Sequence, residues 1–270
     1  MLDLQAVIHS LGRVGRGRMW LVVTSQERLT ELVSGIDDRR IELARLMDRF
    51  AIQVHLEPSD ISEVTSKRIL SKNARAQKTL RELFSQYRGR LTENSRISAT
   101  VRLPELSVDS FINLYPLLPH HIDLIIDIVS GLRTQGGASK HVGGANRTII
   151  KLAQQLLVHP EIDLQNQKVG ALARIDQVYD LIHGNIPSEI RRKIADIPRY
   201  FSDSATNGTL EQRVAKVVCL LGYAPTVRRT AENIAALLHT SIEAGSQLTE
   251  VNAALAALEA AHLVRKGDDG

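Results

Sequence analysis

A chain of 270 residues, 43% hydrophobic, is long enough to bury a core and to divide into two or three small domains. Aromatic residues make up only 4% while Leu, Ile, Val and Ala dominate, the economy of helix-rich packing rather than of a β-sandwich. The formal net charge of +4 comes from acids and bases interspersed along most of the chain, so composition permits a nucleic-acid surface without requiring one.

Leu4, Val7, Ile8 and Leu11 recur at helical spacing, GRVGRGR breaks that helix, and Met19 to Val23 read as a strand. The strand ends abruptly in Thr24, Ser25 and Gln26. Asp37 and Asp38 then favour the start of a helix carrying Ile41, Ala44, Leu46 and Met47. In AIQVHLEPSD, Ile52, Val54 and Leu56 alternate with Gln53 and His55 as a second strand that Pro58 ends. Two strands are marginal in water by themselves, so residues 1–57 are expected to be a partial α/β unit whose remaining strands lie upstream of a truncated N-terminus.

From Ser59 to about Pro160 the pattern is helical, with Ile61, Val64, Ile69 and Leu70, then Ile122, Ile125, Ile126, Val129 and Leu132, then Ile149, Leu152, Ala153, Leu156 and Leu157. RTQGGASKHVGGANRT, with its glycine pairs, reads as a loop before the last of these helices. Leu172, Ile175, Val178, Tyr179 and Ile182 continue the helical pattern, and Pro187 opens a short helix at EIRRKIADI. Residues 58–201 are thus expected to be a helical region. SDSATNGT, residues 202–209, reads as a linker to a module at 210–270. That module has winged-helix order: three helices, the second capped by Thr230, and a first wing strand expected at His262 to Arg265 before GDDG. The chain is expected to be cut at its C-terminus as well.

No lysine follows a glycine, so the phosphate-cradling GxxxxGK[ST] loop is absent, and no apolar strand ends in adjacent acids suited to Mg²⁺. The glycines of LGRVGRGR follow a helix and do not match G-x-G-x-x-G. There is no HExxH or CxxC, and His120 and His121, being adjacent, are expected to point to different helix faces, so no metal site is expected. Cys219 lies in an apolar helical pattern and is expected to be a buried thiol, and as a single cysteine it excludes a disulfide within the chain. No apolar stretch approaches the ~20 residues that span a bilayer and the first residues lack a secretory signal, so a cytoplasmic location without membrane partners is expected.

Three features remain. Thr24 and Ser25, at the carboxyl edge of the first expected strand, would face the ligand crevice of an open α/β sheet and orient a water, or else cap the following helix. Arg49, closing the helix before the second expected strand, projects from the sheet rim to a neighbouring subunit's phosphate, or pairs with Asp48 or Asp37. Arg147 lies at the amino end of a helix, where a cation opposes the macrodipole by roughly 0.3–1 kcal/mol, so a bound anion explains it better than stability does. A blander reading is a purely structural adaptor with no ligand, whose arginines are solvated or salt-bridged surface residues.

The order of these features, with a winged helix after them, resembles the sensor 1, arginine finger and sensor 2 arrangement of AAA+ ATPases. More narrowly, WLVVTSQERL, DRFAIQVHLEPSDI, NLYPLLPHHIDLI, GGASKHVGG and RRTAENIAALL are similar to the middle of the large BREX phage-defence P-loop ATPases of the BrxC and PglY type. The resemblance implies a mostly α chain with a small α/β part: the C-terminal piece of an AAA+-like P-loop domain, a helical lid, then a winged helix. It assigns Thr24 and Ser25 to sensor 1, Arg49 to the arginine finger and Arg147 to sensor 2. It also implies ATP and Mg²⁺ as cofactors of the full-length protein, none held by this piece alone. A homo-oligomeric ring and other defence-system proteins would be its partners, with DNA a further one. The alternative is a winged-helix regulator that binds nucleic acid or protein without ATPase activity, offering Arg228 and Arg229 to phosphates. Against base reading, its third helix, LTEVNAALAALEAA, has no lysine or arginine.

Overall fold

A computed structural model of the protein describes residues 7, 10, 11, 13–16, 18–24, 52, 54, 58–135, 143–201 and 209–267. The chain divides into two units, Met1–Glu57 with His141–Gly144, and Pro58–Lys140 with Ala145–Gly270. The architecture is mostly α: the described residues hold two isolated antiparallel bridges and no named strand. No helix among them is long and apolar enough to cross a membrane.

In the first unit, residues 7, 10, 11 and 13–15 are helical, as the spacing of Val7 and Leu11 predicts. The strand expected at Met19–Val23 is not formed, and neither Ile52 nor Val54 lies in a strand. Trp20 and Val22 are 86% and 82% exposed, and Ile52 and Val54 are 74% and 81% exposed. A strand exists only where a neighbour accepts and donates its ladder hydrogen bonds, and 18–24 finds none among the described residues. Apolar β-type composition therefore produced no strand here.

From Pro58 onward the described residues form ten α-helices: α1 Pro58–Arg68, α2 Ala74–Asn94, α3 Val108–Leu114, α4 Pro119–Gln135, α5 Gly143–Val158, α6 Ile175–Ile182, α7 Ser188–Asp196, α8 Leu210–Leu221, α9 Ala231–Leu237 and α10 Leu248–Ala260; all lie in the second unit except the first two residues of α5. Side-chain oxygens fix several starts. Asn73 accepts from the backbone N–H of Ala76, Thr209 from that of Gln212 and Thr230 from that of Asn233. At α3 the arrangement is reciprocal, Ser107 Oγ accepting from Ser110 N at 3.1 Å and Ser110 Oγ from Ser107 N at 2.9 Å.

The main core runs through almost all of these helices. α4 is the most enclosed, with Ile122, Leu124, Ile125, Ile128, Val129 and Leu132 all buried. α5 presents Ile149, Leu152, Ala153 and Leu156 to the core, and α6 presents Ile175, Val178, Tyr179 and Ile182, each at i, i+3, i+4, i+7. A second, smaller cluster joins Leu80, Phe84 and Leu91 of α2 to Phe111 and Ile112 of α3, with the rings of Phe84 and Phe111 5.2 Å apart.

α8, α9 and α10 pack on one another in helix-turn-helix order, yet they share the main core with residues as early as Ile61. Residues 202–208, within the expected linker, lie outside the described residues. Val227, between α8 and α9, bridges to Ala99, and Ser241, between α9 and α10, bridges to Ala171. The wing strand expected at His262 to Arg265 is not formed. His262 has φ 58, and 261–264 make a turn and bend, so the chain leaves α10 in a reversal rather than a ladder. α4 and the end of α8 approach closely: a Cβ added at Gly131 would come within 2.0 Å of Tyr223 O, so only glycine fits.

Candidate functional site

Of the residues singled out by sequence, Thr24 is exposed and lies in irregular backbone of the first unit. Ser25 and Arg49 lie outside the described residues, as does Gln26. Arg147 belongs to the second unit and is exposed. α5 begins at Gly143, inside the expected glycine loop, which moves Arg147 from the helix start to its second turn. No acid stands in the first turn of α5, and Arg147 has no hydrogen bond or ion pair with another described residue. The end of α4 is tied to this region, Arg133 Nη2 donating to Thr148 Oγ1 at 3.3 Å. The head of α5 is therefore cationic without an acidic counterpart in its own first turn.

A second candidate was not legible in the sequence. Between α1, the 71–73 turn and α3 lies an open cleft of about 530 Å³, lined by Ser62, Ser66, Lys67, Ser71, Lys72 and Gln77 among others. Lys72 Nζ donates to Asn113 O at 3.1 Å, and burial pushes its pKa down to about 8. The only carboxylate on the wall, that of Glu63, accepts from Lys67. Ser66 Oγ donates to Glu63 O and Gln77 Nε2 to Lys72 O, so Lys72 is the lining's one charge without an opposite charge beside it. Serines and lysines in SEVTSKRILSK carry no spacing rule that reveals a cleft, because it forms only when α3 closes over them.

A third feature is charge. Residues 67–102 contain ten Lys and Arg against two Asp and Glu, a formal +8, so the rest of the chain is net −4. The overall balance of +4 conceals this segregation. A windowed charge count would have found it where whole-chain composition did not.

Other titratable groups are enclosed. The rings of His120 and His121 meet edge-on with centroids 4.7 Å apart, although adjacent positions on a helix were expected to face apart. Both are buried because α4 is surrounded on nearly all sides. Burial lowers the pKa of His120 to about 4, and burial with the His120 charge lowers that of His121 well below the usual imidazole value. Cys219 is half-buried, and burial raises its pKa to about 11, which suppresses the thiolate. Among the described residues no group of three His, Cys, Asp or Glu is placed to hold a metal ion. Arg228 and Arg229 are both exposed, between Val227 and the Thr230 cap of α9.

No protein-family model matches the chain, and no solved structure matches it.

Proposed function

We propose that this chain is part of an AAA+-like P-loop ATPase of the BREX phage-defence type and contributes nucleotide-sensing and inter-subunit residues to ATP-driven remodelling. One observation supports it above the rest: Arg147 is exposed, unpaired among the described residues, and carried by a helix whose first turn holds no acid. An exposed guanidinium without a carboxylate partner is suited to a phosphate. In this reading the helices from α1 to α7 are the lid, α8 to α10 the helix-turn-helix module, and Thr24 and Ser25 orient water in the partial ATPase core. The partners are further copies in a ring and other cytoplasmic defence proteins.

The described residues fit ATP only at this one phosphate-seeking arginine and present no cluster for Mg²⁺. In this reading the phosphate loop and its acids come from other parts of the ATPase. Arg147 would hold a phosphate of the nucleotide in its own subunit and Arg49 one in its neighbour.

The test is made in the complete ATPase. Arg147→Ala should weaken nucleotide binding, and Arg49→Ala should lower turnover by about a hundredfold or more with nucleotide affinity retained, since a trans arginine acts on the transition state. Unchanged turnover and affinity in both variants would remove the reading.

A second reading, a helix-turn-helix regulator without ATPase activity, draws on the packing order of α8, α9 and α10 and on exposed Arg228 and Arg229. Against a groove-inserted α10, its exposed positions are Thr249, Glu250, Asn252, Ala253, Ala256, Glu259 and Ala260, with two acids and no cation among them.

A further inference from the structure

We infer that the outward face of α2 is a docking surface for the phosphate backbone of double-stranded DNA. The inference stands apart from the ATPase reading and from the helix-turn-helix module, because it rests on a different element.

α2 buries Leu80, Phe84 and Leu91, packs Leu83 and Tyr87 partly beside them, and turns most of its remaining circumference to solvent. At 100° per residue, Lys78, Arg81, Ser85, Arg88 and Thr92 fall in one stripe beside that buried face, and all five are exposed. The stripe holds three cations and two hydroxyls; Glu82, one turn from Lys78, borders it at about 40°, and Glu93 lies farther round, at about 60°. Lys78 and Arg88 have no hydrogen bond or ion pair with another described residue. Arg81 reaches only Asp109, at 3.5 Å, with both side chains more than half exposed, a pair worth little to stability.

The charges are not arranged to stabilise the helix. α2 has no acid in its first turn, where Arg75 stands instead, and no base in its last turn, where Glu93 stands. Both placements oppose the macrodipole. A concentration of +8 within 67–102 of a chain whose remainder is net −4 is thus better matched to an external polyanion than to internal pairing.

The occupant follows from what else the face carries. No large apolar side chain is exposed between residues 65 and 100, so nothing on α2 would enter a lipid interface. The stripe has no aromatic ring on which an unpaired base could stack, Tyr87 being packed against the second core cluster. Lys78 to Arg88 spans about 15 Å of helix, enough to reach phosphates on both rims of a groove about 12 Å wide. Lys72 adds a further cation just before the amino end of α2. Long cations and hydroxyls without amide pairs aimed at base edges make such binding independent of sequence.

The experiment measures binding of the 270-residue chain to a fluorescent duplex of arbitrary sequence, across a salt series, beside the triple variant Lys78→Gln, Arg81→Gln, Arg88→Gln. Glutamine keeps helix propensity at exposed sites, and circular dichroism checks that the helix content is retained. The wild type should bind, and the variant should lower the log–log salt slope by about 2.7, so that the loss of affinity between about 50 and about 200 mM salt shrinks roughly forty-fold. An absence of duplex binding by the wild type at low salt would overturn the inference. So would an unchanged slope in the folded variant, tighter binding to vesicles rich in phosphatidylserine than to duplex, or loss of binding only in Arg228→Gln with Arg229→Gln.

Discussion

His120 and His121 are the residues whose chemistry the fold changes most. His121 Nδ1 accepts from the backbone N–H of Leu118 at 3.3 Å, which places the proton of the neutral ring on Nε2. The Nε2 atoms of both rings find no partner among the described residues, so protonating either ring places a charge in an enclosure that offers it no acceptor. The folded-state pKa values are depressed, so stability is fully present above about pH 6.5, the unfolded value. It falls as pH drops below that, by about 1.4 kcal/mol per pH unit for each histidine, reaching about 3 kcal/mol for His120 near pH 4. Urea midpoints at pH 7 and pH 5 should show the loss, and it should be smaller in His120→Phe, which has nothing to protonate at that site. A midpoint unchanged between the two pH values would show that these rings titrate normally. In the sequence, HH between Pro119 and Ile122 was readable only as a poor metal-binding pair. The rings touch because the tight segment from Tyr115 and the surrounding helices enclose both at once, and no helical-wheel rule contains that information.

Among the elements, the helices were legible and the strands were not. The apolar stripes of α4, α5, α6, α8 and α10 recur at helical spacing because each buries one face, and the Thr230 cap of α9 follows from its hydroxyl ahead of an apolar run. Met19–Val23 and His262–Arg265 have strand-like composition, but pairing depends on a partner elsewhere in the chain. The segment 97–100, in contrast, gave no sequence signal and is clasped by α9. Asn233 Oδ1 accepts from Ser98 N at 2.8 Å, and its Nδ2 donates to Ser98 O at 2.8 Å and Arg228 O at 2.9 Å. That amide, 1% exposed, satisfies three backbone groups. Asn233→Ala would strand all three and should destabilise by at least about 2 kcal/mol; Asn233→Asp, which keeps the acceptor but sets a carboxylate against two carbonyls, should be no better. Chemical denaturation of both variants measures it, and a loss under about 0.5 kcal/mol would mean that solvent replaces the clasp.

At the scale of the whole molecule, SDSATNGT was readable as a break in helical pattern, and a break in pattern does not reveal whether the flanking helices share a core. They do: Val214, Val217 and Leu221 of α8 belong to the same buried cluster as Ile175, Val178 and Ile194. The second unit should therefore unfold in one transition. Far-ultraviolet circular dichroism and the near-ultraviolet circular dichroism of the buried tyrosines, Tyr179 on α6 and Tyr223 after α8, followed in urea, should give coincident curves, whereas a detachable C-terminal module would separate them. The shared cluster also bears on how the chain is made. The buried cluster that holds the apolar faces of α4 and α5 also holds residues of α8 and α10, so it is complete only after residue 258 has left the ribosome. At roughly 5–20 residues per second the interval after α5 lasts several seconds, long enough for chaperones to engage the nascent chain before native burial is complete.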